Sequence, residues 1–205
     1  MTKIASPEER HRFVPEDEAD KPEGERIAYV FRTPRVYDES ALRWRCRHHA
    51  DARPVSLAEL RASLKTGIRK VYERSDAPDA NAEAERALST VEAVWASTEA
   101  HTDGDDEAAA IAEDLQDELQ AIESVVRSHY PPYEDLVAMR RKYLEAQGVE
   151  AVRLFLVDVE GVDLGAIAAD GATDQQLRRI PRRHWNTVQL EALRLMRPDA
   201  GEGEA

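Results

Sequence analysis

The chain has 205 residues, of which 42% are hydrophobic and 34% charged, and its formal net charge at pH 7 is −13. This length is enough for one domain with a substantial core, and the apolar content excludes a chain that is disordered throughout. A single cysteine excludes an internal disulfide, and neither a secretory leader nor a run of about 18 apolar residues is present, so we expect a soluble cytoplasmic protein.

The charge is sorted into blocks along the chain. Residues 25–74 hold 12 Lys or Arg against 6 Asp or Glu, whereas residues 75–126 hold 15 acidic residues against one Arg. Neighbouring blocks of opposite sign suit a protein that binds other proteins, or itself, better than one that binds phosphate. Docking of the basic block on the acidic block, within or between chains, is the simplest expectation.

The two ends of the chain predict little structure. Residues 1–24 carry three prolines and a run of acidic residues but few apolar ones, and residues 198–205 have the same character. Too little apolar surface is available there to offset the entropy cost of ordering the chain. We therefore predict disordered tails at 1–24 and 198–205 around a single mostly helical domain at 25–197. Charge and hydropathy divide that domain into a basic lobe (25–74), acidic helices (75–126) and apolar C-terminal helices (127–197).

The basic lobe begins with a predicted strand at Arg26–Arg32, where apolar residues alternate, and Pro34 ends it. Asp38 is a suitable N-cap for a basic helix of about ten residues. Ser56 and Glu59 have capping-box spacing at the start of a second helix. The apolar residues of that helix recur at steps of three and four: Leu57, Leu60, Leu64, Ile68 and Val71.

The acidic block predicts two helices. The first follows a turn at 76–81 and is marked by Leu88, Val91, Trp95 and Thr98 on one face. After a polar loop at 101–105, a helix of about twenty residues begins with acidic residues at the positive end of its dipole. Its apolar stripe is Ile111, Leu115, Leu119, Ile122 and Val126.

In the C-terminal part, Pro131 and Pro132 stop that helix, and another is predicted from Tyr133 to Gln147, with Gly148 after it. Residues 149–159 are predicted as helix, although their β-branched residues also fit a buried strand. A short turn follows, capped by Thr173 and ending at Ile180, and Pro181 opens a last helix. The fold class predicted is mainly α: a helical bundle-like domain with one short N-terminal strand and flexible termini. The apolar face of the last helix comprises Trp185, Val188, Ala192 and Leu195.

The sequence assigns no catalytic, cofactor-binding or metal-binding residue and does not identify the partner-binding residues. A phosphate-binding glycine loop and a G-x-S-x-G elbow are both missing, and Lys65-Thr66-Gly67 resembles a β-lactamase element without the S-x-x-K that would supply its nucleophile. Two clusters could attract a metal or react: Cys46 with His48 and His49, and the acidic residues of 103–107. We favour a structural thiol for the first and helix capping for the second.

Nucleic-acid binding is a second hypothesis, because basic residues are clustered in two places. The acidic block and the sequence pI near 5.0 argue against it, since both would repel phosphate. The final helices could nevertheless imitate a helix-turn-helix around Arg178, Arg179, Arg182 and Arg183. The basic block contains Arg43, Arg45, Arg47, Arg53, Arg61, Arg69 and Lys70.

Two stretches resemble tail assembly chaperone-like proteins of long-tailed bacteriophages and prophages. The first is a strand followed by T-P-R-V-Y-D at 33–38 and a helix that opens Leu42-Arg43. The second is H-Y-P-P-Y at 129–133, then a helix with Arg140, Tyr143 and Leu144. After it come R-L-F-L-V at 153–157, E-G-V-D at 160–163, Ile180-Pro181, and a closing helix that ends Leu195-Met196.

The resemblance implies a non-enzymatic protein that binds the tape-measure protein, the tail-tube protein or both during tail morphogenesis. It implies no cofactor and no membrane, places the protein in the cytoplasm of the bacterial host, and leaves self-association open. A chaperone for amphipathic helices needs apolar grooves flanked by charge, which the predicted stripes could supply. The alternatives are a small helical DNA-binding or regulatory protein, a head-to-tail connector component, and an enzyme of another type.

Overall fold

The structure, a computed structural model, describes residues 10–49, 53–74, 78–102, 110 and 113–196. The predicted tail at 198–205 lies outside these residues, as does the acidic cluster at 103–107. Several short 3-10 turns, among them Glu16–Glu18 and Arg182–His184, lie between the helices and strands. The helices and strands are β1 Arg10–Phe13, β2 Ala28–Arg32, α1 Asp38–Arg47, α2 Leu57–Tyr72, α3 Ala80–Thr102, α4 Gln116–His129, α5 Pro131–Phe155, β3 Leu156–Glu160, α6 Asp174–Leu177 and α7 Trp185–Arg194.

The chain divides into two compact units, and this differs from the single domain predicted over 25–197. The first unit contains residues up to Arg53 and from Lys142 onward, and the second is Pro54–Arg141. The boundary follows tertiary contacts rather than the charge blocks, because helix α5 begins in the second unit and ends in the first. The prediction of a mainly α fold is confirmed.

The first unit contains an antiparallel sheet in the order β1-β2-β3. Strand β2 is central and pairs with both others, with Arg10 opposite Arg32 on one side and Ala28 opposite Glu160 on the other. The predicted strand at 26–32 is thereby confirmed as β2. Tyr29 in this strand is fully buried.

Two predictions about this sheet are wrong. Residues 10–24 were predicted to be disordered, yet they form β1 and two short turns, because β1 finds backbone partners on β2 and Glu18 is fully buried. The predicted helix over 149–159 continues only to Phe155, and Leu156–Glu160 is strand β3. Backbone pairing with β2 selects the strand, which its β-branched residues also favour.

The core of the first unit lies between the sheet and helices α1, α5, α6 and α7. Arg32 reaches across it, with its guanidinium 5.1 Å from the centre of the Phe155 ring and an ion pair to Asp38 at 2.6 Å. Asp38, predicted as the N-cap, is instead the first residue of α1, and its carboxylate accepts from the Arg35 backbone amide at 2.5 Å. The fully buried side chains of this core include Tyr29, Phe31, Cys46, Ala151, Val152, Phe155, Val188 and Ala192.

The second unit packs α2 against α3, α4 and the first turns of α5. Ser56 caps α2 as predicted by accepting the Glu59 amide at 3.1 Å. Helix α2 approaches α4 closely at Gly67, which has room only for a hydrogen next to Val126 and Tyr130. The core of this unit comprises Leu64, Ile68, Ala84, Ala87, Leu88, Val91, Val94, Leu119, Val126 and Tyr133.

Docking of the basic block on the acidic block is observed between α2 and α3. Lys65 Nζ lies 2.7 Å from Glu92 Oε1, and Arg61 pairs with Glu99. The Arg61 guanidinium also lies 4.9 Å from the centre of the Trp95 ring. Part of the charge segregation seen in the sequence therefore serves helix packing within one unit.

Candidate functional site

An apolar groove of about 380 Å³ opens on the surface of the first unit. Its floor is formed by Val149 from α5, Leu177 from α6, Ile180 from the segment between α6 and α7, and Trp185, the first residue of α7. Leu177 and Ile180 are also members of the core, so the floor is anchored to the packed interior. Its volume lies near the lower end of the 300–1,000 Å³ typical of binding pockets, which suits one or two anchoring side chains of a partner.

Local hydrogen bonds position the short helix α6 at the groove. Thr173 and Gln176 form the predicted cap as a full capping box, in which each side chain accepts from the other residue's backbone amide. The side-chain amide nitrogen of Gln176, Nε2, also donates to the backbone carbonyls of Leu164 and Ala166, which ties the preceding loop to α6. One wall of the groove is therefore held by specific contacts.

The groove is bordered by charged residues. Asp174 lies at the rim and is paired with Arg153, with Nη2 and Oδ1 2.5 Å apart. The pKa of Asp174 is lowered, first by Arg153 and then more weakly by Arg178. Arg178 and Arg182 complete the rim and are both exposed. Once the Asp174 charge is offset by Arg153, the rim is positive.

A shallow hollow adjoins the groove beyond the Arg153–Asp174 ion pair. At its base is Glu150, which is 5% exposed and has three cationic or imidazole neighbours. Its carboxylate lies 3.0 Å from His49 Nε2, 3.2 Å from Arg153 Nε and 3.5 Å from Arg45 Nη1. These contacts hold α1 against the last turns of α5.

Trp44 stands at the edge of this hollow and is 63% exposed. Its ring is tilted against that of His48, with the ring centres 4.1 Å apart. Tyr37, at the start of α1, is 82% exposed. Exposed tryptophan beside arginine is the composition typical of protein-binding surfaces.

Cys46 is a structural thiol in this fold. Its side chain is fully buried, and burial raises the pKa of the thiol to about 11, so it is protonated at neutral pH. His48 and His49 turn to other partners, His48 toward the Trp44 carbonyl at 2.7 Å and His49 toward Glu150. The structure therefore separates the three residues that the sequence had grouped as a candidate metal or thiol site.

A buried polar network connects the N-terminal segment to the 3-10 turn Arg182–His184 just before α7, and the sequence had given no indication of it. Glu18 accepts from Lys21 at 2.8 Å, from Arg183 at 2.6 Å and from the Ile27 amide at 3.1 Å. These contacts lower the pKa of Glu18 to about 2, with the Lys21 bond as the largest cause. His184 is 1% exposed and lies nearby.

Asp17, Glu18 and His184 bring three possible metal ligands within 4.8 Å of one another. Their hydrogen bonds are already used, because Glu18 is neutralised by Lys21 and Arg183, and His184 Nδ1 lies 2.8 Å from the Tyr29 hydroxyl. The arrangement suits an internal ion-pair network that fastens residues 15–27 to the 3-10 turn before α7.

The other predicted elements of chemistry have structural roles. Lys65-Thr66-Gly67 lies within α2, where Lys65 pairs with Glu92 and Gly67 packs against α4. Of the arginines considered for a helix-turn-helix, Arg183 pairs with Asp17 and Glu18, and Arg179 donates to the Asp163 carbonyl at 2.9 Å. The acidic cluster at 103–107 falls outside the described residues.

No model of a known protein family, no curated protein sequence and no solved structure matches this chain. Among the helices in the described part of the chain, none is both long enough and apolar enough to cross a membrane.

Proposed function

We propose that this protein binds amphipathic helices of a partner protein, as a tail assembly chaperone acting on the tape-measure protein, the tail-tube protein or both during phage tail morphogenesis. In this role the protein catalyses no reaction and acts in the cytoplasm of the bacterial host. The sequence resemblance supports the proposal, together with one structural observation: the apolar groove of the first unit and the adjoining hollow, which has Trp44 at its edge.

Helix-in-groove binding is the recognition mode that this surface fits best. An amphipathic helix presents apolar residues at i, i+3, i+4 and i+7, and one or two of them can enter a small apolar groove. Trp44 offers a further contact at the edge of the surface, where a large ring in a partly desolvated position contributes much of the affinity of many interfaces. The charged rim would keep the complex soluble.

The test is co-expression with the tape-measure protein of the gene cluster that encodes this chain. We expect the soluble fraction of the tape-measure protein to increase and the two proteins to purify together. A double variant, Trp44→Ala with Val149→Asp, removes the exposed ring and places a charge in the groove floor, and it should reduce both effects. An unchanged soluble fraction with the unmodified chain, together with failure to co-purify, would refute the proposal.

A salt series distinguishes this function from DNA binding. If the protein bound DNA through six or more phosphate contacts, raising the salt from 50 to 200 mM would lower its affinity for DNA by about a thousandfold or more. Binding that buries apolar side chains is nearly insensitive to salt in that range. Binding to duplex DNA with a steep salt dependence would favour the regulatory alternative.

A further inference from the structure

We propose that the groove selects helices whose polar face is acidic, with Arg178 and Arg182 as the specificity-determining residues. This inference rests on the proposed protein-binding function and adds the chemistry of the partner. The partner segment would be an amphipathic helix with apolar anchors for the groove and Asp or Glu on the flank that faces the two arginines.

Two charges at the rim of the groove lack a strong internal partner. Within the described part of the chain, neither Arg178 nor Arg182 is ion-paired, and Asp174, the nearest rim carboxylate, is taken by Arg153. By contrast, the neighbouring Arg183 pairs with Asp17 and Glu18. Two exposed cations at the mouth of an apolar groove are therefore available to a carboxylate of a bound partner.

The apolar floor of the groove favours a carboxylate on a helix over a phosphate as the bound anion. The groove floor consists of the apolar side chains of Val149, Leu177, Ile180 and Trp185. A phosphate backbone has no apolar groups to bury against them. A helix with one apolar and one acidic face satisfies the floor and the rim together. Because guanidinium groups match the geometry of carboxylates, arginine is the suitable cation for such a rim.

The charge of the whole chain also directs an acidic partner to the groove. The net charge of the chain is −13, so an acidic partner is repelled by most of this protein and attracted only where cations are concentrated. Positive charge at the rim of the groove would therefore direct an acidic helix to this surface. A basic helix would gain nothing there, because its cations would face Arg178 and Arg182.

The experiment measures binding of the full chain to three fluorescent peptides of about 20 residues by anisotropy. All three have the same leucine face, and their polar faces carry Glu, Gln or Lys. We expect the Glu peptide to bind about tenfold more tightly than the Gln peptide, and the Lys peptide to bind more weakly than both.

The double variant Arg178→Gln/Arg182→Gln should bind the Glu and Gln peptides equally. The control Arg74→Gln/Arg86→Gln removes the same charge from exposed positions of the second unit and should keep the preference. Equal binding of all peptides by the unmodified chain, no binding of any, a preference retained by the groove variant, or displacement of the Glu peptide by duplex DNA would each overturn the inference. Solubility of the co-expressed tape-measure protein is a separate readout, so the specificity can fail while the chaperone function stands.

Discussion

Glu18 is the clearest example of a residue whose role depends on its surroundings. It lies in a segment rich in acidic residues, yet its side chain is fully buried and accepts from Lys21, Arg183 and the Ile27 amide. A buried carboxylate that accepts hydrogen bonds from several charged donors stays ionised at pH values far below its ordinary pKa. At the scale of residues, this network explains why the segment is ordered.

We predict a pH dependence of stability from this carboxylate. Because its pKa falls from 4.5 to about 2 in the folded protein, its stabilising effect is complete above pH 4.5 and is lost as the pH falls toward 2. Glu18→Gln should lower the thermal unfolding midpoint at pH 7 and flatten its dependence on pH below 4.5.

The matched control for Glu18 is Glu16→Gln, an exposed residue of the same 3-10 turn. Other carboxylates with lowered pKa values, Asp38 and Glu191 among them, keep some acid sensitivity in every variant, so the comparison between variants is the informative quantity. Equal midpoints for both variants at pH 7 would contradict the role assigned to the network.

At the scale of elements, the close approach of α2 and α4 depends on a residue without a side chain. A Cβ at position 67 would overlap the buried Val126 side chain and lie 2.8 Å from Tyr130 Cδ1. Glycine normally weakens a helix interior by about 1 kcal/mol relative to alanine. Its presence inside α2 is explained by packing and not by helix propensity.

We therefore predict that Gly67→Ala lowers the free energy of unfolding by about 1–2 kcal/mol, since overpacking outweighs the gain in helix propensity. Urea unfolding at pH 7 measures the change. Gly24→Ala is the control, because a Cβ there meets no atom within 4 Å, and it should change stability by less than about 0.5 kcal/mol. A Gly67→Ala protein as stable as the parent would show that α2 and α4 do not pack closely at position 67.

At the scale of the whole molecule, one part of the surface proposed to bind a partner is separate from the parts that maintain the fold. The groove floor is part of the core, whereas Trp44 is 63% exposed at the edge of the adjoining hollow. An exposed side chain contributes little to folding, but the same side chain can dominate an interface once a partner covers it.

Trp44→Ala should leave the free energy of unfolding within about 0.5 kcal/mol of the parent and weaken binding of the tape-measure segment by roughly thirtyfold. Calorimetry with a purified tape-measure fragment measures the second quantity. Leu190→Ala, at a residue 67% exposed on α7 away from the groove and hollow, should change neither. Equal losses of affinity in Trp44→Ala and Leu190→Ala would show that the partner does not bind at the groove and the adjoining hollow.

The sequence by itself determined the features that local chemistry encodes. The period of the apolar residues predicted α2, α3 and the described part of α4, Ser56 and Thr173 marked two helix starts, and alternation predicted β2. Capping and periodicity depend on residues a few positions apart, so they can be recognised without the rest of the fold.

Only the tertiary structure decided the features that need a distant partner. Residues 156–160 form a strand because β2 supplies hydrogen bonds. Helix α5 continues through Gly148, where a Cβ would lie 2.9 Å from the Gln189 side chain of α7. Residues 10–24 are ordered by contacts with β2, about 20 positions away along the chain, and with the 3-10 turn before α7, 165 positions away. The groove joins residues of α5, α6, the segment between α6 and α7, and the first residue of α7, and such an assembly depends on long-range packing that no local pattern records.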